Sequence, residues 1–213
     1  MRVPDKRPFG KLGQQGCSKT KPLALLGLTV GIALGASLIP AQAEPENMLM
    51  ISVAPVAKFS NLKTVKAQVL IQAPPALVWD MLTDYPGVSE ILPGYERTRV
   101  LSRSGSTTLM DVGMRVSNLL PLYKYRVRAQ ENEAQRQLSM TRIAGDFKSL
   151  QANYKLTPQN NGKATLLSYQ LSIDPGVSLP GSTGLIRNNT LKSLNALERH
   201  AELAFRKGEI GQR

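Results

Sequence analysis

The chain has 213 residues, of which 42% are hydrophobic and 20% charged, a composition that is typical of one folded domain and excludes a fibrous or disordered protein. The formal net charge is +12, and residues 1–43 hold six Lys or Arg against one acid, which leaves +7 for the rest of the chain. No run of five like charges occurs and the basic residues are not interleaved with aromatic ones, so we expect no nucleic-acid partner. The positive charge is compatible with transient contact with a membrane surface and equally with simple solubility.

Residues 1–43 have the order of a secretory signal peptide. Basic residues within 2–21 precede an apolar stretch at 23–39, and Pro40 is followed by the small-x-small sequence Ala41-Gln42-Ala43. We expect cleavage there and export across a membrane, into a periplasm or a lumen-like compartment. The alternative is a retained membrane anchor formed by residues 23–39, although this stretch is short for a bilayer about 30 Å thick.

Few residues in the chain are suited to catalysis. Cys17 is the only cysteine and precedes the apolar stretch, so a cleaved chain has no thiol for a disulfide, a nucleophile or a metal. His200 is the only histidine, which excludes a His/Cys metal site and gives His200 a structural or surface role. Asp80 and Asp84 are interpreted as the solvated face of a helix. We therefore expect no catalytic residue, no metal and no cofactor.

The chain after the signal segment begins without a regular period. Residues 44–62 are predicted to be a linker or an extended arm. Alternation of apolar and polar residues starts at Lys63 and predicts a strand that ends at Pro74-Pro75, because proline cannot donate to a sheet but is accepted in a first helical turn. The apolar face of this strand consists of Val65, Ala67, Val69, Ile71 and Ala73.

Two short helical pieces are predicted next, separated by Pro86-Gly87 and ended by Pro93-Gly94. Their inward residues are Leu77, Val78, Met81 and Leu82, with Trp79 at the edge, and then Val88, Ile91 and Leu92.

Further alternation predicts a series of strands with one apolar and one polar face. The segments are 108–116, 123–129, 138–142, 150–156 and 165–173, with a hairpin signal at Asn160-Asn161-Gly162. An antiparallel sheet solvated on one side needs a cover for its other face. The candidate cover is a helix from Thr183 to Lys207. Its inward positions are Ile186, Thr190, Leu194, Leu197, Ala201 and Ala204. Its charged residues, among them Glu198 and Glu202, are placed elsewhere around the axis.

This order of elements resembles the helix-grip fold of the SRPBCC superfamily, which includes START-type lipid-transfer domains. Residues 73–103, APPALVWDMLTDYPGVSEILPGYERTRVLSR, resemble the opening of the polyketide cyclase/dehydrase and coenzyme-Q-binding START-like family. Residues 145–158, GDFKSLQANYKLTP, resemble its Gly-x-Phe strand. One departure is Gly94-Tyr95, where an aromatic-cysteine pair is frequent in the coenzyme-Q branch.

The resemblance implies an α+β fold in which a curved antiparallel sheet of about six or seven strands wraps around the long C-terminal helix. The START-like domain would span residues 63–207 and leave 208–213 as a tail. Members of this family mostly bind or carry apolar small molecules, and some are enzymes.

A cavity between sheet and helix would be lined by the inward residues. The predicted ligand contacts are Trp79, Tyr85, Ile91, Met110, Val112, Met114, Tyr125, Met140, Arg142, Tyr154, Tyr169, Ile186 and Leu194. Arg142 is the anomaly, because a buried guanidinium needs a partner. It either meets the polar head of a ligand, or a bend or bulge of the strand turns it away.

Three functions remain open at this point. The preferred one is an exported binding or carrier protein for an apolar small molecule such as a lipid, a prenylquinone or a pigment-like ligand, exchanged by opening of residues 85–95 or 175–184. The second is a cyclase or dehydratase that uses Arg142 and a tyrosine on a hydrophobic substrate. The third is a ligand-free module that docks on a membrane or a protein, which an interior without a pocket of about 300 Å³ would favour.

Overall fold

The computed structural model describes residues 50–55, 61–176 and 181–211, the side chains of 209–211 excepted. By its internal contacts the chain divides into Met1–Gln42 and Ala43–Arg213, and the described residues all belong to the second unit. The predicted signal segment, the apolar stretch and part of the predicted 175–184 opening segment lie outside the described residues. No helix in the described ranges is both long and apolar enough to cross a bilayer.

The described chain consists of one antiparallel sheet of eight strands, two short helices and one long C-terminal helix. The elements are β1 Met50–Pro55, β2 Lys63–Ile71, α1 Pro75–Thr83, α2 Tyr85–Ile91, β3 Tyr95–Ser104, β4 Thr107–Met114, β5 Tyr123–Asn132, β6 Gln137–Gly145, β7 Ser149–Gln159, β8 Ala164–Asp174 and α3 Ser182–Gly211. The strand order is β1-β2-β8-β7-β6-β5-β4-β3. The pairing of β2 with β8 therefore joins the two N-terminal strands to the last strand of the chain. The expected α+β helix-grip fold is confirmed.

The strand count is higher than the predicted six or seven, because β1 lies in the segment interpreted as a linker. It pairs along β2 from Met50 opposite Gln68 to Pro55 opposite Lys63. Only two inward residues, Ile51 and Val53, pack against the core, which is too few to give a recognisable period.

The end of β2 at the two prolines is stabilised by side chains from distant elements. The backbone N–H of Gln72 donates to Glu202 Oε1 at 2.9 Å, and the carbonyl of Ala73 accepts from Thr165 Oγ1 at 2.7 Å. The chain can therefore leave the sheet without unsatisfied backbone groups, and α1 starts directly at Pro75.

The long helix α3 packs against β1, β2, α1 and α2. Its predicted inward stripe is confirmed, with Thr190, Leu194, Leu197 and Ala201 buried. The helix continues to Gly211 and so includes most of the predicted tail. Contrary to the prediction, Glu198 and Glu202 are also buried, each only 9% exposed.

Candidate functional site

A cavity of about 120 Å³ lies between the inner face of the sheet, α2 and α3. Strands β3 to β8 provide most of its wall, and α3 closes it opposite the sheet. The sheet presents alternate residues to this space, so the wall inherits the apolar face of each strand.

Ten of the predicted ligand contacts lie around this cavity. They are Tyr85, Met110, Val112, Met114, Tyr125, Met140, Tyr154, Tyr169, Ile186 and Leu194. The structure thus brings together residues from seven elements that are far apart in the sequence. Their contact with a ligand stays a prediction.

Two other predicted contacts, Trp79 and Ile91, do not line the cavity. Trp79 is buried one helical turn before Leu82, which does line it, and its ring lies 5.7 Å from the guanidinium of Arg136. Ile91 ends α2 at the rim of the core, whereas Val88 reaches the wall. Helical periodicity identified which side of each helix is buried, but it did not identify which of the buried residues reach the cavity.

Arg142 is the third predicted contact that does not line the cavity. The β5–β6 register pairs Val127 with Arg142 and then Arg126 with Ala144, so Ile143 is the extra residue of a bulge. Arg142 is half-buried, does not line the cavity, and donates from Nη2 to the carbonyl of Gly145 at 2.8 Å. Because the bulge follows Arg142 and its partner Val127 lines the cavity, Arg142 stays on the inward side of β6, where its Nε is buried without a hydrogen-bond partner among the described residues.

The polar part of the cavity is a cluster of four tyrosines. Tyr95, Tyr125, Tyr154 and Tyr169 all lie at the wall, the ring centroids of Tyr154 and Tyr169 are 4.8 Å apart, and the Tyr125 hydroxyl donates to Met114 Sδ at 3.8 Å. Burial raises the pKa of all four phenols, so they remain neutral near neutral pH. We call these residues the tyrosine cluster. It offers hydroxyl groups but no charge.

A fifth tyrosine connects the cavity wall to a carboxylate. The hydroxyl of Tyr85 donates to Glu131 Oε1 at 2.7 Å, and Thr108 Oγ1 donates to the same oxygen at 3.2 Å. Burial, together with this hydrogen bond, raises the pKa of Tyr85. Arg103 lies over the Tyr85 ring at 5.7 Å. This arrangement holds α2 against β4 and β5, because Tyr85 is the first residue of α2.

Sequence reasoning missed several wall residues. Tyr95 and Thr98 lie on β3, whose register shifts between Tyr95 and Arg97 and between Val100 and Ser102 and so obscures its alternation. Thr98 Oγ1 is buried and has no hydrogen-bond partner among the described residues.

Phe147 also lines the cavity, although it follows the end of β6. Its ring stacks on Tyr123 at 4.9 Å and meets Tyr125 edge-on at 5.1 Å. Gly145 makes this possible, because its φ of 112° and its close approach to the backbone of β5 leave no space for a Cβ. The Gly-x-Phe motif was the available sequence signal for this position.

Among the described residues, no Asp, Glu, Lys, Arg or His side chain lines the cavity. Its polar groups are the tyrosine and Thr98 hydroxyls and, on α3, Asn189, Thr190 and Ser193. Such a site can enclose an apolar body and hydrogen-bond a neutral oxygen atom, but it contains no counter-ion for a charged group.

A family model described as polyketide cyclase/dehydrase and lipid transport matches residues 71–196, more than half of the chain. The chain belongs to this family. No match was found among curated proteins.

Three solved structures with low sequence identity share the fold. The Zhui aromatase/cyclase of a Streptomyces species is 18% identical, with a TM-score of 0.59 over 66% of this chain and 94% of that one. A STAR-related lipid transfer protein from Xanthomonas axonopodis is 16% identical, with a TM-score of 0.58 over 73% and 98%. A START superfamily protein from Mycobacterium smegmatis is 15% identical, with a TM-score of 0.54 over 68% and 97%. The polyketide cyclase/dehydrase fold of this chain is compatible with binding hydrophobic ligands.

Proposed function

We propose that the protein binds or carries a neutral apolar small molecule in the cavity between the sheet and α3. The observation that carries this proposal is the composition of the wall, which is mainly apolar, has its polar groups in tyrosine and Thr98 hydroxyls and in three α3 side chains, and has no charged side chain among the described residues. The ligand class that fits is a lipid, a prenylquinone or a related pigment-like molecule with a carbonyl or hydroxyl oxygen. That oxygen would bond the tyrosine cluster and the unsatisfied Thr98 hydroxyl.

The absence of charge on the wall distinguishes between ligand classes. A buried carboxylate or phosphate without a counter-ion loses several kcal/mol of solvation free energy. A fatty acid anion or a phospholipid head group is therefore disfavoured inside the cavity, and a ketone, quinone or alcohol is not. The cyclase alternative has less support, because Arg142 is not among the residues that line this space and donates to the carbonyl of Gly145.

The volume of the cavity sets a condition on the ligand. At about 120 Å³ it is below the roughly 300 Å³ that was the criterion against the ligand-free module, which this volume therefore favours, and it is comparable with the roughly 150 Å³ cavity that binds benzene. A longer ligand requires expansion. Met110, Met114 and Met140 line the wall, and unbranched thioether side chains adopt other rotamers at low cost. The short helix α2, which begins at Tyr85 and is followed by the Pro93-Gly94 turn, is the element proposed to open.

Competition between matched ligands tests this proposal. The protein is loaded with the neutral dye N-phenylnaphthylamine, and decylubiquinone, decanol and decanoate are compared as competitors above pH 7, where the acid is ionised. Decylubiquinone and decanol should displace the dye, with decanoate weaker than decanol by about 100-fold, since the lost solvation is several kcal/mol. Equal competition by decanoate and decanol contradicts a neutral-ligand site.

We further propose that the protein acts outside the compartment in which it is made, after export by residues 1–43. The support is the basic, apolar and small-x-small order of that segment. The mass of the chain isolated from its host tests this directly. A chain that starts at Glu44 supports cleavage, and an intact N-terminus supports the anchored alternative.

A further inference from the structure

The outer face of β3, β4 and β5 carries a dense group of cations. Arg97 and Arg99 of β3 and Lys124, Arg126 and Arg128 of β5 are all exposed, and we call these five residues the basic face. Arg97 is level with Lys124 across Gly113, and Arg99 is level with Arg126 across Asp111. Since neighbouring strands are about 4.8 Å apart and alternate residues about 7 Å apart, the five cations occupy an area of about 10 by 14 Å.

One carboxylate lies among these cations. Asp111 accepts two hydrogen bonds from Arg126, at 2.7 and 3.1 Å, and lies 4.0 Å from Arg99. Asp146 borders these cations as well, since its carboxylate accepts from the backbone N–H of Lys124 at 2.7 Å, so the five cations and two carboxylates have a net charge of +3. The outer positions of the other strands are less basic. A groove across β1, β2 and β5 to β8 presents mainly amides and hydroxyls, with Lys66 and Lys155 as its cations.

An apolar loop continues the basic face. Residues 117–122 connect β4 to β5 with the sequence SNLLPL, and Leu119 is 94% exposed. Leu122 lies over Gly113 beside Arg97, since a Cβ on Gly113 would be 3.7 Å from Leu122 Cδ2 and 3.8 Å from Arg97 Cβ. No acidic residue occurs from 112 to 123. Leu122 thus links the loop that carries the exposed Leu119 to the clustered cations.

We propose that the basic face and the 117–122 loop dock on an anionic lipid membrane. Cations at the level of the head groups bind lipid phosphates, while an exposed leucine next to them enters the boundary of the acyl chains. A nucleic acid would satisfy the cations but leave Leu119 in water. A membrane surface satisfies both.

Docking in this orientation places the bilayer beside the cavity wall. The residue preceding the loop, Val116, lines the cavity, and its carbonyl accepts from Asn189 Nδ2 of α3 at 3.1 Å. The docking surface goes beyond the proposed ligand binding and does not depend on it.

Insertion of the loop can be measured locally. Leu119→Cys in a Cys17→Ser background is labelled with an environment-sensitive fluorophore and mixed with vesicles of phosphatidylcholine and phosphatidylglycerol in equal parts, or of phosphatidylcholine alone. We expect a blue shift with the anionic vesicles, lost at high salt. The label at position 203, introduced by Leu203→Cys on the exposed side of α3, should not respond. Because the signal is local, a retained N-terminal segment does not imitate it.

Charge reversal tests the basic face with a matched control. Lys124→Glu with Arg128→Glu should weaken vesicle binding by at least about 25-fold, since each cation near an anionic surface contributes about fivefold. Lys66→Glu with Lys155→Glu makes the same charge change on the other half of the sheet and should leave a much smaller effect. Circular dichroism verifies that both variants are folded.

The proposal is overturned by equal effects of the two pairs, by an equal response of positions 119 and 203, or by no response of position 119 to anionic vesicles. Binding of an acidic protein without binding of these vesicles also overturns it. Dye binding in the cavity, measured without vesicles, keeps a failure of docking distinct from a failure of the proposed ligand site.

Discussion

Filling the cavity from Ala152 separates ligand binding from folding. Ala152 lines the cavity on β7 and is 4% exposed, while Ala129 on β5 is fully buried and does not line it. Both residues flank Met140, to which each is paired in the sheet. Ala→Leu adds three carbon atoms at either position. At Ala152 they enter the existing space of about 120 Å³, and at Ala129 no such space is present.

The free energies expected for the two variants differ in sign. Burial of three additional carbons in an existing space contributes up to about 2.4 kcal/mol. The same atoms forced into a packed core cost about 1 to 3 kcal/mol. Ala152→Leu should therefore be more stable than Ala129→Leu by at least about 2 kcal/mol after partial relaxation.

The assay combines urea unfolding with binding of N-phenylnaphthylamine. Ala152→Leu should remain folded and lose at least tenfold in affinity for the dye. The reasoning is refuted if Ala152→Leu is as destabilised as Ala129→Leu, or if it is folded and binds the dye as tightly as the parent chain. The first result would mean that the protein has no free volume beside Ala152, and the second that ligands bind elsewhere.

Three further predictions concern pH, backbone and a buried acid. Burial raises the pKa of Tyr85 and Tyr125, so above about pH 10 the folded state keeps protons that the unfolded state loses. The free energy of unfolding should therefore fall there by about 1.4 kcal/mol per pH unit for each tyrosine, as measured by urea unfolding between about pH 9 and 11. Gly145→Ala should lower the free energy of unfolding by at least about 3 kcal/mol, because its Cβ would lie 2.4 Å from the backbone of β5. Gly105→Ala, which has a positive φ but open space around it, should lower it by about 1 kcal/mol, and similar melting temperatures of the two variants would contradict this. Glu202→Ala should lower the free energy of unfolding by about 2 kcal/mol, because it leaves the backbone N–H of Gln72 without its acceptor, and Glu202→Gln should recover part of this loss. An Ala variant as stable as the parent would show that this hydrogen bond does not stabilise the fold.

Regular periodicity accounts for what could be predicted of the fold. The inward face of β2 and the stripe of α3 follow from burial on one side of an element, which leaves a direct trace in the sequence. The same parity placed Met110, Val112 and Tyr125 at the cavity wall.

Departures from regularity account for the errors. Two register shifts in β3 concealed Tyr95 and Thr98, and alternation placed Arg142 on the inward side of β6 without indicating that its guanidinium would bond the Gly145 carbonyl rather than line the cavity. Glu202 looked like a solvated helix residue because its hydrogen-bond donor lies 130 residues away in the sequence. Contacts of this kind depend on the tertiary arrangement, and no local pattern encodes them.

Native mass spectrometry of the chain as isolated, after exposure to a lipid extract, tests the central claim most directly. We predict a bound neutral molecule that is released on denaturation, dissolves in apolar solvent and is absent from the Ala152→Leu variant. A parent chain that carries no such molecule, or an Ala152→Leu variant that retains it, would contradict a binding site between the sheet and α3.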